Sequence, residues 1–195
     1  MDKKNIFFFG DSITYGQVIS TEKTWVHKLG KYINDTFNDQ YIIQNSSVLG
    51  NTTRDALNRI YQDVLFRNPS IVYVQFGMND CNIWDSEKGL CRVMPKTYEA
   101  NLEEIIQRLL SYNCKVVLGT NHFSSKSADY DNRNKEYNQI IRTVASTNNI
   151  PLMDHGFECE NVNYLDLILP DGIHLSNDGH ELYYQTFIKN IKYLI

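Results

Sequence analysis

The chain has 195 residues and a mass of 22.7 kDa, a length that favours one domain spanning residues 1–195. With 42% hydrophobic and 22% charged residues it is far from a disordered composition and can bury a sizeable core without staples. Its 19 Lys and Arg against 23 Asp and Glu leave a net charge of −4, so no basic field is present to attract a nucleic-acid backbone. The longest apolar run near the start, Ile6–Phe9, is too short for a signal-peptide core or a membrane insertion. Cys81, Cys91, Cys114 and Cys159 have no Cys-x-x-Cys spacing and read as reduced thiols of a cytoplasmic protein, neither a zinc site nor a disulfide frame.

In chain order, the first element is a strand at Ile6–Phe9, followed at once by Gly10-Asp11-Ser12-Ile13-Thr14. Trp25, Leu29, Tyr32 and Ile33 mark a helix by their spacing. A second strand at Tyr41–Ile43 leads through Ser47-Val48-Leu49 to Gly50-Asn51-Thr52-Thr53. Leu57, Ile60, Tyr61, Val64 and Leu65 make the next helical stripe, and a third strand at Ile71–Phe76 runs into Gly77-Met78-Asn79-Asp80. The stripe Tyr98, Leu102, Ile105, Ile106, Leu109, Leu110 predicts a helix with Pro95 in or just before its first turn. A fourth strand, Lys115–Gly119, precedes Asn121-His122; Tyr137, Ile140, Ile141, Val144 and Ala145 form a helix after it. A fifth strand at Pro151–Met153 is followed by Asp171-Gly172-Ile173-His174-Leu175-Ser176 and a last helix through Tyr183, Phe187, Ile191 and Leu194. The five runs are short and rich in Ile, Val, Phe and Tyr, as expected of strands buried on both faces. Strands alternating with helices predict an α/β fold, a parallel sheet with helices on both sides.

In such sheets ligands bind beyond the carboxyl ends of the strands, which is where the distinctive residues fall. Acyl transfer from an ester needs a nucleophilic hydroxyl, a base, a group that orients the base, and donors for the oxyanion. Ser12 supplies the first, just past a strand. His174 suits the second, an imidazole being a base near neutral pH. Asp171, three residues earlier, suits the third. Gly50 has no side chain to obstruct a backbone donor, and Asn79 carries a side-chain amide. Taken singly, Ser12 is a turn or capping residue, Asp171-Gly172 a turn, and His174 a surface residue. What separates the two readings is that all the parts occur after strands or near the same edge, with every role filled. Asp154-His155 is a rival acid–base pair, but no nucleophile accompanies it. Asp11 and Asp80 are expected to brace their loops, and His27 and His180 to sit on the surfaces of their helices.

These blocks resemble those of the SGNH-hydrolase (GDSL-type esterase/lipase) family along nearly the whole chain. Gly10-Asp11-Ser12 is similar to its first block, Gly50 stands at the glycine of the second, Gly77-Met78-Asn79-Asp80 resembles the third, and Asp171-Gly172-Ile173-His174 matches the last. Ile13-Thr14 departs conservatively from the Leu and Ser or Thr of the family's nickname motif. The resemblance implies a three-layer α/β/α, flavodoxin-like fold with a five-stranded parallel sheet. It also implies a Ser12–His174–Asp171 triad, an oxyanion hole from the N–H groups of Ser12 and Gly50 with the Asn79 side chain, and no metal or organic cofactor.

Between Asn79 and Pro95 lies a loop of about fifteen residues, long for such a connection. It carries Trp84 and Arg92, where Trp would stack on a sugar and Arg would meet a carboxylate or phosphate; alternatively Trp84 pins the loop. His122, after the fourth strand, either touches substrate or holds structure. The expected substrate is a small-molecule ester, most simply an acetyl ester of a carbohydrate or similar polar metabolite. Longer-chain lysophospholipase or thioesterase activity is the alternative, and a non-catalytic ligand-binding α/β module the alternative of another class. Gly10–Gly16 lacks the pattern of a phosphate-binding loop, and the third strand does not end in the Asp of a phosphoacceptor domain.

Overall fold

The structure, a computed structural model, describes residues 3–160, 162 and 164–195. The described residues form five strands and seven α-helices, with at least one helix after every strand. They are β1 (Lys4–Gly10), α1 (Ser12–Tyr15), α2 (Trp25–Thr36), β2 (Tyr41–Asn45), α3 (Thr53–Asp63) and β3 (Ile71–Gln75). There follow α4 (Pro95–Ser111), β4 (Lys115–Gly119), α5 (Ala128–Thr147), β5 (Leu152–Met153), α6 (His155–Glu160) and α7 (Asn177–Lys189). The sheet is parallel throughout with strand order β2-β1-β3-β4-β5, the flavodoxin-like order. Helices α2, α6 and α7 pack together, as do α3, α4 and α5, giving the two outer layers.

Local chemistry starts these helices where the sequence says. Thr24 caps α2, Ser127 caps α5 and Ser176 caps α7, each with a side-chain oxygen on an otherwise orphaned N–H. Thr52 and Asp55 form a reciprocal capping box at α3, and Pro95 opens α4. The short α6 has no apolar stripe to announce it; Asp154 accepts from the Phe157 N–H at 3.2 Å at its start.

The three central strands are buried on both faces, but β2 and β5 are sheet edges and differ from expectation. Ile42 on β2 is exposed, and β5 has only two residues. Alternation along β1 sends Phe8 to one layer, edge-on to Trp25 at 5.2 Å and near Phe187 at 6.0 Å. Phe9 points to the other, edge-on to Phe76 at 5.3 Å. Trp25 stacks on Phe187 at 4.8 Å, and each such ring pair adds roughly 0.5–1.5 kcal/mol beyond its buried area. This core fixes the carboxyl ends of β1 and β3, where strand order reverses, and so fixes the floor of the cleft there.

Candidate active site

The chain leaves β1 at Gly10 and turns directly into α1. The Asp11 carboxylate caps that turn, accepting from the Ile13 N–H at 3.0 Å. Ser12 is therefore the first helical residue, and its N–H has no intrahelical partner. Two anchors hold α1 from below: the Trp25 indole donates to the Ile13 carbonyl at 3.2 Å, and Thr14 Oγ1 donates to Gln75 Oε1 at 2.9 Å.

Across the cleft, the segment before α7 folds back on itself, with a bridge between Ile168 and Leu175 and the Leu169 N–H donating to the His174 carbonyl at 2.7 Å. Gly172 makes the bend at φ +75°, and a Cβ there would lie 2.5 Å from the Lys126 nitrogen, so the position needs glycine twice over. The bend brings His174 Nδ1 to 2.7 Å from Asp171 Oδ2 and His174 Nε2 to 3.0 Å from Ser12 Oγ. Asp171 also accepts from the Ile173 and His174 N–H groups through Oδ1, at 2.8 and 2.9 Å. Partial burial would raise its pKa, but these hydrogen bonds outweigh it and hold the carboxyl below the ordinary aspartate value. An ionised Asp171 only accepts, so Nδ1 carries the ring proton, and Nε2 is left to accept from the Ser12 hydroxyl.

Gly50 follows β2 at φ +73°, with nothing within 4 Å of where a Cβ would be; it is needed for its backbone, not for space. Its N–H has no acceptor among the described residues. The Asn79 amide donates to Asp11 Oδ2 at 3.1 Å, which leaves its second N–H free for another acceptor. Full burial pushes Asp11 up to about 7, with a further contribution from the neighbouring Asp80. Burial likewise pushes Asp80 up to about 6, against hydrogen bonds from Thr53 Oγ1 at 2.6 Å and the Thr53 N–H at 2.9 Å. Both aspartates brace loops, as expected.

A hydroxyl, an imidazole and a carboxylate in line have the chemistry that acyl transfer requires; comparison with known proteins gives the family. The profile of the GDSL-like Lipase/Acylhydrolase family matches residues 8–182. The chain belongs to that family. Thioesterase 1/protease 1/lysophospholipase L1 of Escherichia coli (strain K12) is 26% identical over 193 residues, 97% of this chain and 84% of the relative. The crystal structure of the acetyl xylan esterase AlAXEase has a TM-score of 0.81 and 26% identity, over 96% of this chain and 99% of that one. A lipase/acylhydrolase from Enterococcus faecalis has a TM-score of 0.83 and 26% identity, over 97% and 95%. The chain is thus an ester hydrolase with the SGNH fold, and the non-catalytic reading is set aside.

Within this GDSL-family chain, several expected contacts take other roles. His122 is fully buried and presents nothing to a substrate. Its Nε2 lies 2.7 Å from the Ile173 carbonyl, which can only accept, so Nε2 carries the proton. Nδ1 then accepts from the Tyr183 hydroxyl at 3.0 Å. Burial holds the ring neutral, pushing its pKa down to about 4. Gln75 Nε2 donates to the same hydroxyl at 3.1 Å, so a line of hydrogen bonds runs from Thr14 through Gln75, Tyr183 and His122 to Ile173. It ties the helix of Ser12 to the bend of His174. Ser124 Oγ adds a second hold on that bend, donating to the Gly172 carbonyl at 2.6 Å.

Arg92 has partners within the protein. Its Nη1 donates to the Gly50 carbonyl at 2.8 Å, Asp55 lies 3.9 Å from Nη2, and the guanidinium covers the Trp84 ring at 3.8 Å. Trp84 remains 46% exposed. The rival pair Asp154-His155 is divided: Asp154 binds Arg142 at 2.8 and 2.9 Å, while His155 sits in the core with Nε2 3.0 Å from the Tyr73 hydroxyl. His27 is exposed as expected, but His180 is only 1% exposed and its Nδ1 accepts from the Trp25 N–H at 3.2 Å. Sequence reasoning passed over Gln75 and Tyr183, although a glutamine inside the apolar run Ile71–Phe76 was a signal, and it passed over Arg59 altogether. Among the described residues no cluster of three or more His, Cys, Asp or Glu is placed to hold a metal ion, and no helix is long and apolar enough to cross a membrane.

Proposed function

We propose that this esterase removes short acyl groups, acetyl above all, from a carbohydrate or similarly polar alcohol, through a Ser12–His174–Asp171 triad. The observation that carries the catalytic part is the unbroken line from Asp171 to His174 at 2.7 Å and on to Ser12 at 3.0 Å. Ser12 Oγ attacks the ester carbonyl as its proton passes to His174 Nε2, and Asp171 stabilises the imidazolium. The Ser12 and Gly50 N–H groups and the free N–H of Asn79 take the oxyanion. The alcohol leaves with the proton held by His174, and water, activated by the same base, releases the acid and restores Ser12.

A side chain near the proposed oxyanion loop supports a polar alcohol. Trp84, tied through Arg92 to Gly50, offers an aromatic face for a sugar ring beside the oxyanion loop. Acetyl xylan esterase AlAXEase, with 26% identity and the same fold, is consistent with such a substrate. The four free thiols fit a reducing, cytoplasmic setting.

The longer-chain lysophospholipase or thioesterase reading has its own observation: Val48 and Leu49, just before Gly50, are exposed along with Trp84 and could line an acyl chain. Hydrolysis of p-nitrophenyl acetate and octanoate by the wild type and Ser12→Ala separates these. The expected result is acetate preference, abolished in the variant. Octanoate preference selects the second reading, and an active Ser12→Ala variant ends the triad.

A further inference from the structure

The two backbone donors of the oxyanion hole stand on loops that follow different strands, Ser12 after β1 and Gly50 after β2. Their spacing is not set by the sheet alone: beyond the paired residues Phe8 and Asn45 the backbone link to β1 continues as Ser46 N–H to the Phe8 carbonyl at 2.8 Å and Val48 N–H to the Gly10 carbonyl at 3.1 Å, and stops two residues short of Gly50. Arg59, on the second turn of α3, spans this gap. Its Nε donates to the Asn51 side chain at 2.6 Å, Nη1 to the Ser46 carbonyl at 2.6 Å, and Nη2 to the Gly10 carbonyl at 3.1 Å. Asp63, one turn on, balances the charge at 3.0 Å, and the guanidinium lies over the Phe9 ring at 4.5 Å. One planar fork thus holds the residue two before Ser12, the residue after Gly50, and the start of the loop that carries Gly50. The side chain is 16% exposed, too enclosed for a merely solvated charge.

We infer that Arg59 is a positioning residue for the reaction: it fixes the separation of the Ser12 and Gly50 N–H groups so that both meet one oxyanion. The inference rests on the oxyanion hole proposed above. Arg92 grips the same loop through the Gly50 carbonyl, and the Val48 N–H reaches the Gly10 carbonyl at 3.1 Å; what Arg59 adds is a side-chain tie from Gly10 to Asn51, beyond Gly50, that neither of these makes. A lysine would bring charge without the fork and could not satisfy three acceptors in one plane.

The test compares Arg59→Lys, Arg59→Ala and Asn51→Ala with the wild type on p-nitrophenyl acetate. Affinity for an alkyl boronic acid, which forms a tetrahedral adduct on serine, is measured alongside. Removing one oxyanion donor costs roughly 10²–10³ in turnover, and displacing rather than deleting donors should cost about 10–100-fold. The expected result for Arg59→Lys is a kcat loss of that size with KM changed less than about threefold, and boronate affinity falling in parallel. Added methylguanidinium should restore part of the kcat of Arg59→Ala. Asn51→Ala, which removes one acceptor and leaves the arginine, should show a smaller loss of the same kind and keeps the test alive if the arginine variants do not fold. Wild-type kcat in Arg59→Lys, or a loss confined to KM with boronate affinity intact, overturns the inference. Ser12→Ala, run beside them, keeps the two levels apart. If it stays active the triad itself is wrong, whereas a dead Ser12→Ala with a fully active Arg59→Lys removes only the role of Arg59.

Discussion

Asp11 is buried beside Ser12, and replacing it with asparagine should make the protein more stable by an amount that grows with pH. Burial first, then the nearby Asp80, raises the Asp11 carboxyl from an ordinary value of 3.8 to about 7. The folded state therefore keeps this proton to a higher pH than the unfolded chain does. Its contribution to stability is fully present below about pH 4, declines as pH rises, and levels off above about 7, where the carboxyl ionises in both states. At about 1.4 kcal/mol per pH unit, the wild type should lose about 2–3 kcal/mol from this group between pH 5 and pH 8. Asp11→Asn cannot ionise and escapes that loss. The substituted amide must face the Asn79 amide, whose Nδ2 lies 3.1 Å from Asp11 Oδ2, and any cost of that contact is independent of pH. The buried imidazoles pull the other way: His122 and His180 are pushed down to about 4 and His155 to about 3 by burial, so they destabilise the fold as pH falls below about 6.5. They are common to both proteins and cancel in the difference. Urea unfolding of both proteins at pH 5 and pH 8 gives the four values needed. A difference between variant and wild type that is the same at both pH values would show that Asp11 is ionised throughout and refute the argument.

Two further outcomes follow from the geometry. Asn79→Ala should lose roughly 10²–10³ in kcat with its urea midpoint little changed, because the side chain is half-buried and its one fixed partner is the Asp11 carboxylate; wild-type turnover would remove Asn79 from the oxyanion hole. Trp84→Ala should raise KM for an acetylated oligosaccharide about tenfold and leave p-nitrophenyl acetate unaffected, the loss of roughly 1–1.5 kcal/mol of stacking. An equal effect on both esters would mean that Trp84 only supports Arg92 and the Gly50 loop.

What was readable in the sequence divides by distance along the chain. Strands and helices announce themselves through local periodicity, and all five strands lie where apolar runs stand, because three to five consecutive β-favouring residues are a local property. The proposed triad was legible for a related reason: Ser12 and the Asp171–His174 pair each occupy a short block with its own turn chemistry. Even so, the 3.0 Å approach of His174 to Ser12 depends on residues 162 apart and came only with the fold. Exposure was harder. The edge position of β2 cannot be read from Tyr41–Ile43, which looks as apolar as a central strand, since sheet order is decided by how helices pack across it. His180 follows the same logic. On a helical wheel it reads as one more polar residue of α7, yet the Trp25 N–H at the start of α2 needs an acceptor, and the imidazole fills that need from inside the core.

The same accounting bears on the two arginines near the site, Arg92, which was named, and Arg59, which was overlooked. An arginine on a loop near a cleft invites the thought of an anionic substrate, but loops that hold backbone donors outward must have their own carbonyls satisfied. The carbonyls of Gly10, Ser46 and Gly50 each accept from a guanidinium, and that of Gly10 accepts from the Val48 N–H as well. A site built from backbone N–H groups on irregular loops calls for multidentate donors behind it, and arginine, with five N–H groups in one plane, answers three such carbonyls with two side chains. Arg59 and Arg92 thus bind the protein's own backbone, while Trp84, Val48 and Leu49 stay exposed.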